Sequence, residues 1–270
     1  MDILEWATSP WGRRVPIHAA WHLIDVAAAA ALLFLIVHAL YMRFFATRKE
    51  FSGSTPAEVA AVLPVRIPRH SLTARAFHWA MAAAMLTLLF TAFLPKLGVR
   101  FDWITYHWIA GAVLTASVVF HIIHASLWLD FWSIWPDRAD IQDAVTRVRR
   151  FVGMNATPPR RFAKYPLDNK LYHGAIIATG LTAIGTGVFM LVRIRTLFFV
   201  RNPYLFGDVT WGTMYVLHGL AGIGLIALVM VHIYFAVRPE KLEITKSMIF
   251  GSMSRDFDLK EHDPERWRIS

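Results

Sequence analysis

The sequence predicts an all-α integral membrane protein, a bundle of five transmembrane helices. The 270 residues are 56% hydrophobic and have a mean hydropathy of +0.43, well above an ordinary soluble domain. Five apolar stretches are long enough to cross a bilayer core of roughly 30 Å, which needs about 20 helical residues. The net charge of +9 comes from Lys and Arg between these stretches, so it fits loops beside a membrane and predicts no nucleic-acid partner.

The predicted spans follow one another along the whole chain. The first is followed by a long basic linker and has no small-residue cleavage pattern, so we expect a retained helix rather than a signal peptide. Several tryptophans fall near the span ends, as they do in interfacial aromatic belts. The five spans are Trp21 to Tyr41, Ala76 to Leu94, Trp103 to Trp128, Tyr172 to Val192 and Met214 to Val237.

Three regions are expected: residues 1–52 with the first helix and the start of a linker, a Pro-rich linker over 53–74, and a four-helix domain with a tail over 75–270. The stretch GSTPAEVAAVLPVRIPRH has three prolines and predicts an extended linker that isolates the first helix from the other four. After Pro136, the run DRADIQDAVTRVRRFVG predicts a short amphipathic helix that lies on the membrane interface or against a partner subunit. Its apolar face consists of Ile141, Val145, Val148 and Val152.

Lysine and arginine counts predict the orientation, because cytoplasmic loops retain positive charge. The linker from Arg43 to Arg75 has six of these residues, the loop from Asp130 to Lys170 has eight and the tail from Arg238 has seven, against seven on the opposite side. We therefore expect a cytoplasmic C-terminus and a short N-terminus on the outer side.

The chain has no cysteine and twelve histidines. Disulfides, thiolate metal sites and cysteine-ligated iron–sulfur clusters are thereby excluded, and histidine is the available redox ligand. His107 and His218 open the third and fifth spans, which both run inward, so they share an outer level. His232 follows His218 by fourteen residues, which on a helix leaves the two side chains about 40° apart and separated by roughly 21 Å.

One helix thus offers an imidazole at each level of the membrane. The outer histidines are each followed one turn later by a glycine, Gly111 and Gly222, where the face of a macrocycle could approach the backbone, although small residues also serve helix packing. Spacing, depth and the absence of cysteine together predict two stacked bis-histidine haems. Possible inner partners of His232 are His38, His78, His121, His124 and His173.

A histidine-lined transition-metal transporter for zinc or copper is the alternative. Such a path favours intramembrane carboxylates and ligands at one depth, whereas Asp25 is the only acid well inside a predicted span and the histidines form two layers. His70 and His262 lie in polar segments and are expected to be solvated.

Four motifs carry a resemblance to a known family. RAFHWAM, YHWIAGAV, VLHGLAGIGLIALVMVHIYFAV and the tail motif HDPERW resemble the cytochrome b, or gamma, subunit of membrane-bound formate dehydrogenases and of thiosulfate-reductase-like complexes. The resemblance covers roughly residues 70 to 268. It implies a four-helix dihaem core with His107 and His218 on the outer haem and His78 and His232 on the inner one. A likeness to the cytochrome b of respiratory bc complexes would pair His121 with His232 instead, and the first resemblance favours His78.

The same resemblance implies a quinone, menaquinone or ubiquinone, that is reduced near the inner haem beside the entry to the fourth span. That entry reads KYPLDNKLYHG and departs from the family pattern. The candidates for contacts to the quinone or for proton delivery are Asp168, Asn169, Lys170, Tyr172 and His173.

The predicted function is that of an electron-transfer subunit rather than a stand-alone enzyme. It would anchor a complex in the bacterial inner membrane and connect an extracytoplasmic oxidoreductase to the quinone pool. The resemblance implies an iron–sulfur subunit beneath a molybdenum or tungsten catalytic subunit as the partner, and a multihaem cytochrome c could take the same place. The loops around Lys96 to Trp103 and Arg195 to Thr210 are expected to meet that partner.

Overall fold

The computed structural model describes residues 2–45, 51, 62–263 and 266–267. Five of the helices in these residues are long and apolar enough to cross a membrane, which confirms the predicted helical membrane bundle. In the numbering given in the next sentence, these five are α1, α2, α3, α5 and α6. The helices are α1 (His22–Phe44), α2 (Leu72–Phe93), α3 (Trp103–Trp128), α4 (Arg138–Phe151), α5 (Leu167–Met190), α6 (Asp208–Ala236), α7 (Leu242–Phe250) and α8 (Arg255–Glu261).

An antiparallel hairpin precedes the first span and was not predicted from the sequence. Its strands are β1 (Leu4–Thr8) and β2 (Arg14–Ala19), joined through a turn in which Gly12 has a φ of 75°. The hairpin lies against α6, where a side chain at Gly212 would collide with the backbone carbonyl of Pro16. Glycine is therefore the residue that lets β2 approach the helix this closely.

Helix α1 packs on the core helices rather than standing apart from them. Ile24 forms an apolar cluster with Ala19 and with Ile223 of α6. The Asp25 carboxylate accepts a hydrogen bond from Lys96, 3.1 Å away. The expectation of an isolated first helix was therefore wrong for its N-terminal half. Residues 52–61 of the predicted linker lie outside the described residues.

The chain divides into two compact units. The first consists of Met1–His38, His78–His121 and Ala175–His232 and holds the hairpin with parts of the spans. The second consists of Ala39–Phe77, Ile122–Gly174 and Ile233–Ser270. It contains α4, α7, α8 and a two-stranded antiparallel sheet of β3 (Arg66–Pro68) and β4 (Ser252–Ser254).

Helix α4 confirms the predicted amphipathic helix. It begins with a capping box, in which the Asp137 side chain accepts from the backbone N–H of Asp140 and the Asp140 side chain accepts from that of Asp137. The acidic side is turned inward: Asp140 and Asp143 are both buried. Arg266 bonds to both carboxylates, at 3.3 and 2.9 Å. Buried ion pairs thus hold α4 against the rest of its unit.

His262 is buried, which corrects the expectation that it is solvated. Its ring lies 4.9 Å from that of Trp267, and Arg69 Nη1 donates to Nε2 at 3.3 Å. Since an arginine only donates, Nε2 accepts and Nδ1 carries the proton; Nδ1 lies 3.2 Å from an Asp258 oxygen. Burial lowers the pKa of His262, although the nearby Asp258 carboxylate opposes this shift.

Candidate haem sites

Two pairs of imidazole rings face each other within the first unit. The ring centroids of His107 and His218 lie 6.1 Å apart, and those of His78 and His232 lie 6.4 Å apart. Two imidazoles that bind one metal from opposite sides, with each nitrogen about 2 Å from it, have centroids roughly 6 Å apart. Both pairs therefore have the spacing of axial ligands to a single iron.

The outer rings are each held by a threonine from the preceding span. His107 Nδ1 lies 2.8 Å from Thr91 Oγ1, and His218 Nδ1 lies 2.9 Å from Thr186 Oγ1. In both cases the Nδ1 side of the ring is engaged by the protein. Nε2 is then the nitrogen that remains available to a metal. In metal-ligating histidines the other ring nitrogen is commonly held by a hydrogen bond in this way.

Glycines near the outer pair differ in what they contact. A side chain at Gly187 would lie 3.3 Å from Cε1 of His218, so this glycine makes room for the ring. Added Cβ atoms at Gly111 and Gly222 would each meet one side chain, Leu88 and Phe93 respectively, at an ordinary 3.9 Å. Protein packing alone does not explain these two glycines, so the predicted approach of a macrocycle at these positions stays a prediction.

The donor set fits haem iron better than a transported cation. Each pair supplies two imidazoles and no thiolate, as axial ligation of haem by two histidines requires. In the described part of the chain, no group of three or more His, Cys, Asp or Glu side chains could hold a metal ion. The arrangement thus disfavours the transporter alternative.

The surplus of histidines expected at the inner level stays a prediction. The structure places the His78 ring in contact with the His232 ring. His124 stacks on Trp128 with centroids 5.8 Å apart, and His38 lies 5.9 Å from the Phe34 ring. Ligation of the inner iron by His78, and the alternative through His121, stay predictions.

The quinone candidates occupy the beginning of α5, in the second unit. Lys170 is 4% exposed, and its ammonium donates to Asp140 at 2.6 Å. Through this ion pair, Lys170 holds α4 in place. The Asp168 carboxylate is exposed and lies 3.9 Å from Lys241 Nζ, whereas Asn169, Tyr172 and His173 are half-buried. A role for any of the five toward a quinone stays a prediction.

A membrane helix bundle that presents two opposed pairs of imidazoles defines a b-type cytochrome. Residues 69–251 match the family of prokaryotic cytochrome b561, and because this is more than half of the chain, the protein belongs to that family. It is a membrane protein of a family that binds haem b and transfers electrons. No curated protein matches the chain. The finer resemblance to formate dehydrogenase gamma subunits is not confirmed.

Sequence reasoning missed the two threonines and Gly187. A signal for the threonines does exist: α2 has Thr87 and Thr91, and α5 has Thr182 and Thr186, each pair four residues apart in the C-terminal half of its helix. Both helices directly precede a span that carries an outer histidine. Gly187 has no such signal, because its contact with His218 depends on how α5 and α6 pack.

Proposed function

We propose that this chain is a dihaem b-type cytochrome that transfers electrons between an extracytoplasmic oxidoreductase and the membrane quinone pool. His107 and His218 would hold the outer haem iron, and His78 and His232 the inner one. The observation that carries the proposal is that α6 presents two imidazoles fourteen residues apart, each opposite a histidine of another helix at 6.1 and 6.4 Å.

Ligation by two histidines suits electron transfer. The haem iron supplies one-electron transfer when it is bound. Two histidines on each iron would leave no position for oxygen or another small ligand. Because each ring is carried by a helix, rearrangement on electron transfer would be small. Two haems at different levels would divide the path across the bilayer into shorter steps.

The proposed partner binds on the outer side. By resemblance it is an iron–sulfur subunit beneath a molybdenum or tungsten catalytic subunit, with a multihaem cytochrome c as the other choice. The exposed Arg195 and Arg201 in the predicted outer loop support an acidic docking surface on that partner. The excess of Lys and Arg in the other loops supports a cytoplasmic C-terminus in the bacterial inner membrane.

Haem content tests the central proposal. We expect the purified chain to give a b-type pyridine haemochrome with two haems per polypeptide. Replacing His78 with Ala should remove the inner haem, whereas His121→Ala should retain it. One haem per chain would contradict the dihaem proposal, and stoichiometric zinc or copper without haem would restore the transporter. Loss of the inner haem only in His121→Ala would reassign the inner ligand.

Quinone reactivity is tested separately on the same preparation. We expect a quinol analogue to reduce the haem, and Tyr172→Phe or His173→Asn to slow this reduction roughly ten-fold or more if either donates a hydrogen bond or a proton to the quinone. Tyr204→Phe is the matched control, because Tyr204 is 88% exposed in an outer loop. Equal rates in all variants would exclude both residues.

A further inference from the structure

The contacts of Thr91 and Thr186 determine where the protons of the outer histidines lie. The hydroxyl of Thr91 donates to the Thr87 carbonyl at 2.7 Å, and that of Thr186 donates to the Thr182 carbonyl at 2.6 Å. A hydroxyl has one proton, and a carbonyl can only accept. Each threonine oxygen must therefore accept from the imidazole, so Nδ1 is the protonated nitrogen of both rings.

The two halves of the outer site repeat one arrangement. Thr91 on α2 holds His107 on α3, and Thr186 on α5 holds His218 on α6. In each half the threonine is itself fixed by its own helix backbone, which leaves the ring little freedom to turn. Both Nε2 lone pairs are thus prepared before any metal binds, and the hydrogen bond to Nδ1–H raises the electron density that each ring offers.

We infer that Thr91 and Thr186 are positioning residues of the outer haem, an inference that rests on the proposed function. They select the Nδ1–H tautomer and lower the reduction potential of the outer iron, because an electron-rich ligand stabilises the ferric state. The inner pair provides an internal reference in the same molecule.

Potentiometric titration of the haem absorbance tests this role. Thr91→Val and Thr186→Val keep the side-chain shape and remove the hydroxyl. We expect the outer haem to shift to a higher midpoint potential, or to bind about ten-fold or more weakly, while the inner haem keeps its potential. Thr91→Ser and Thr186→Ser should restore the wild-type value. A His107→Ala variant identifies which midpoint belongs to the outer haem.

The control is Thr182→Val, one turn earlier on α5. The Thr182 hydroxyl donates to the Ala178 carbonyl at 2.7 Å. A shift in this control equal to that in Thr186→Val would overturn the inference, as would unchanged potentials in both valine variants at full haem content. Absence of haem from the wild-type chain is a different result and would overturn the proposed function.

A second observation, independent of haem, concerns the exposed side of α4. The helix buries its acids and exposes its apolar residues, the reverse of a helix on a water-soluble protein. Ile141, Val145, Val148 and Val152 are 45–62% exposed and lie in one stripe, whereas Asp140 and Asp143 on the other side are buried. A contiguous exposed apolar stripe of this kind marks a surface that contacts protein or lipid.

A lipid surface is the occupant that these contacts favour. At the end of α4, the Phe151 ring lies 6.2 Å from that of Tyr41, which belongs to the span α1. The exposed stripe therefore continues the surface that a span presents to lipid. The flank carries exposed Arg149, which suits anionic headgroups. The geometry points to α4 as an interfacial helix whose apolar stripe enters the lipid.

Site-directed spin labelling tests this proposal. Because the chain has no native cysteine, each label attaches only to the introduced cysteine. Spin labels at Val145→Cys and Val148→Cys in proteoliposomes of the purified chain should collide often with oxygen and rarely with a water-soluble nickel complex. A label at Gln142→Cys, on the polar flank, should show the opposite preference. Frequent collisions of the first two labels with nickel would overturn the proposal, and so would protection from both reagents, which indicates a protein partner.

Discussion

The two compact units are stabilised in different ways. In the first unit, close approaches of small residues join the hairpin and α1 to the core, as at Gly212 against Pro16 and at Gly219 against Ala19. In the second, buried ions connect distant segments, with Lys170 and Arg266 both bonded to Asp140. The first unit has the apolar packing of membrane helices, and the second buries charged groups beside apolar ones such as Ile67 and Met253.

Different interactions are expected to stabilise helices within the spans and segments outside them. Helices in lipid gain little by exchanging apolar contacts with lipid for apolar contacts with protein, so close backbone approach and specific hydrogen bonds decide their packing. Residues outside the spans can bury charges, but each ion then depends on its partner, because an unpaired buried charge is costly. The units should therefore respond differently to the same kind of substitution.

The largest expected effect is on the function of the first unit. His218→Ala and His232→Ala should each reduce haem from two per polypeptide to one, because each histidine serves a different pair, while the chain still inserts. Pyridine haemochrome counts on both purified variants measure this. If one substitution removed both haems, the two pairs would not be independent sites.

The next largest effect should be on the second unit. Asp140→Ala leaves Lys170 buried without its carboxylate and should lower the opening free energy of α4 by about 3–5 kcal/mol. Native-state hydrogen exchange of the α4 amides measures this. The double variant Asp140→Leu with Lys170→Met should recover much of the lost opening free energy. If the double variant were as destabilised as Asp140→Ala, the ion pair would not be the cause.

Packing in the first unit should be less sensitive than the buried ion pair. Gly212→Ala forces β2 away from α6 and should reduce the protection of the hairpin amides by about 1–3 kcal/mol. Gly180→Ala is the control, because a Cβ there would meet no atom within 4 Å, and it should be neutral or stabilising. Equal destabilisation by both would refute the close approach as the cause.

The smallest predicted effect is a pH dependence in the second unit. Burial lowers the pKa of His262, so the folded state keeps it neutral while the unfolded chain takes up a proton below about pH 6.5. Stability from this residue is complete above that pH and is lost as the pH falls toward the lowered pKa. Thermal midpoints at pH 5.5 and 7.5 should differ more for wild type than for His262→Gln, and equal differences would contradict this assignment.

Features that depend on the local sequence could be predicted, whereas most contacts between distant segments could not. The five spans were predictable because hydropathy is a local property, and the outer pair followed from the directions of the spans. The ring contact between His78 and His232 was anticipated only through resemblance, because His121 has the same fourteen-residue spacing from His107. The threonine contacts and the hairpin depend on which helix faces are adjacent. Burial of His262 was missed because Arg69, its partner, lies far away in the chain.

The sheet of β3 and β4 connects two segments that the family match leaves out. Residues 66–68 end just before the matched region and residues 252–254 begin just after it. Ile67 and Met253, directly paired, are both fully buried. Neither flanking segment can be shortened alone without leaving the other with an unpaired backbone and an uncovered apolar side chain. The two segments that flank this family domain therefore depend on each other for their structure, and removing either one exposes the other.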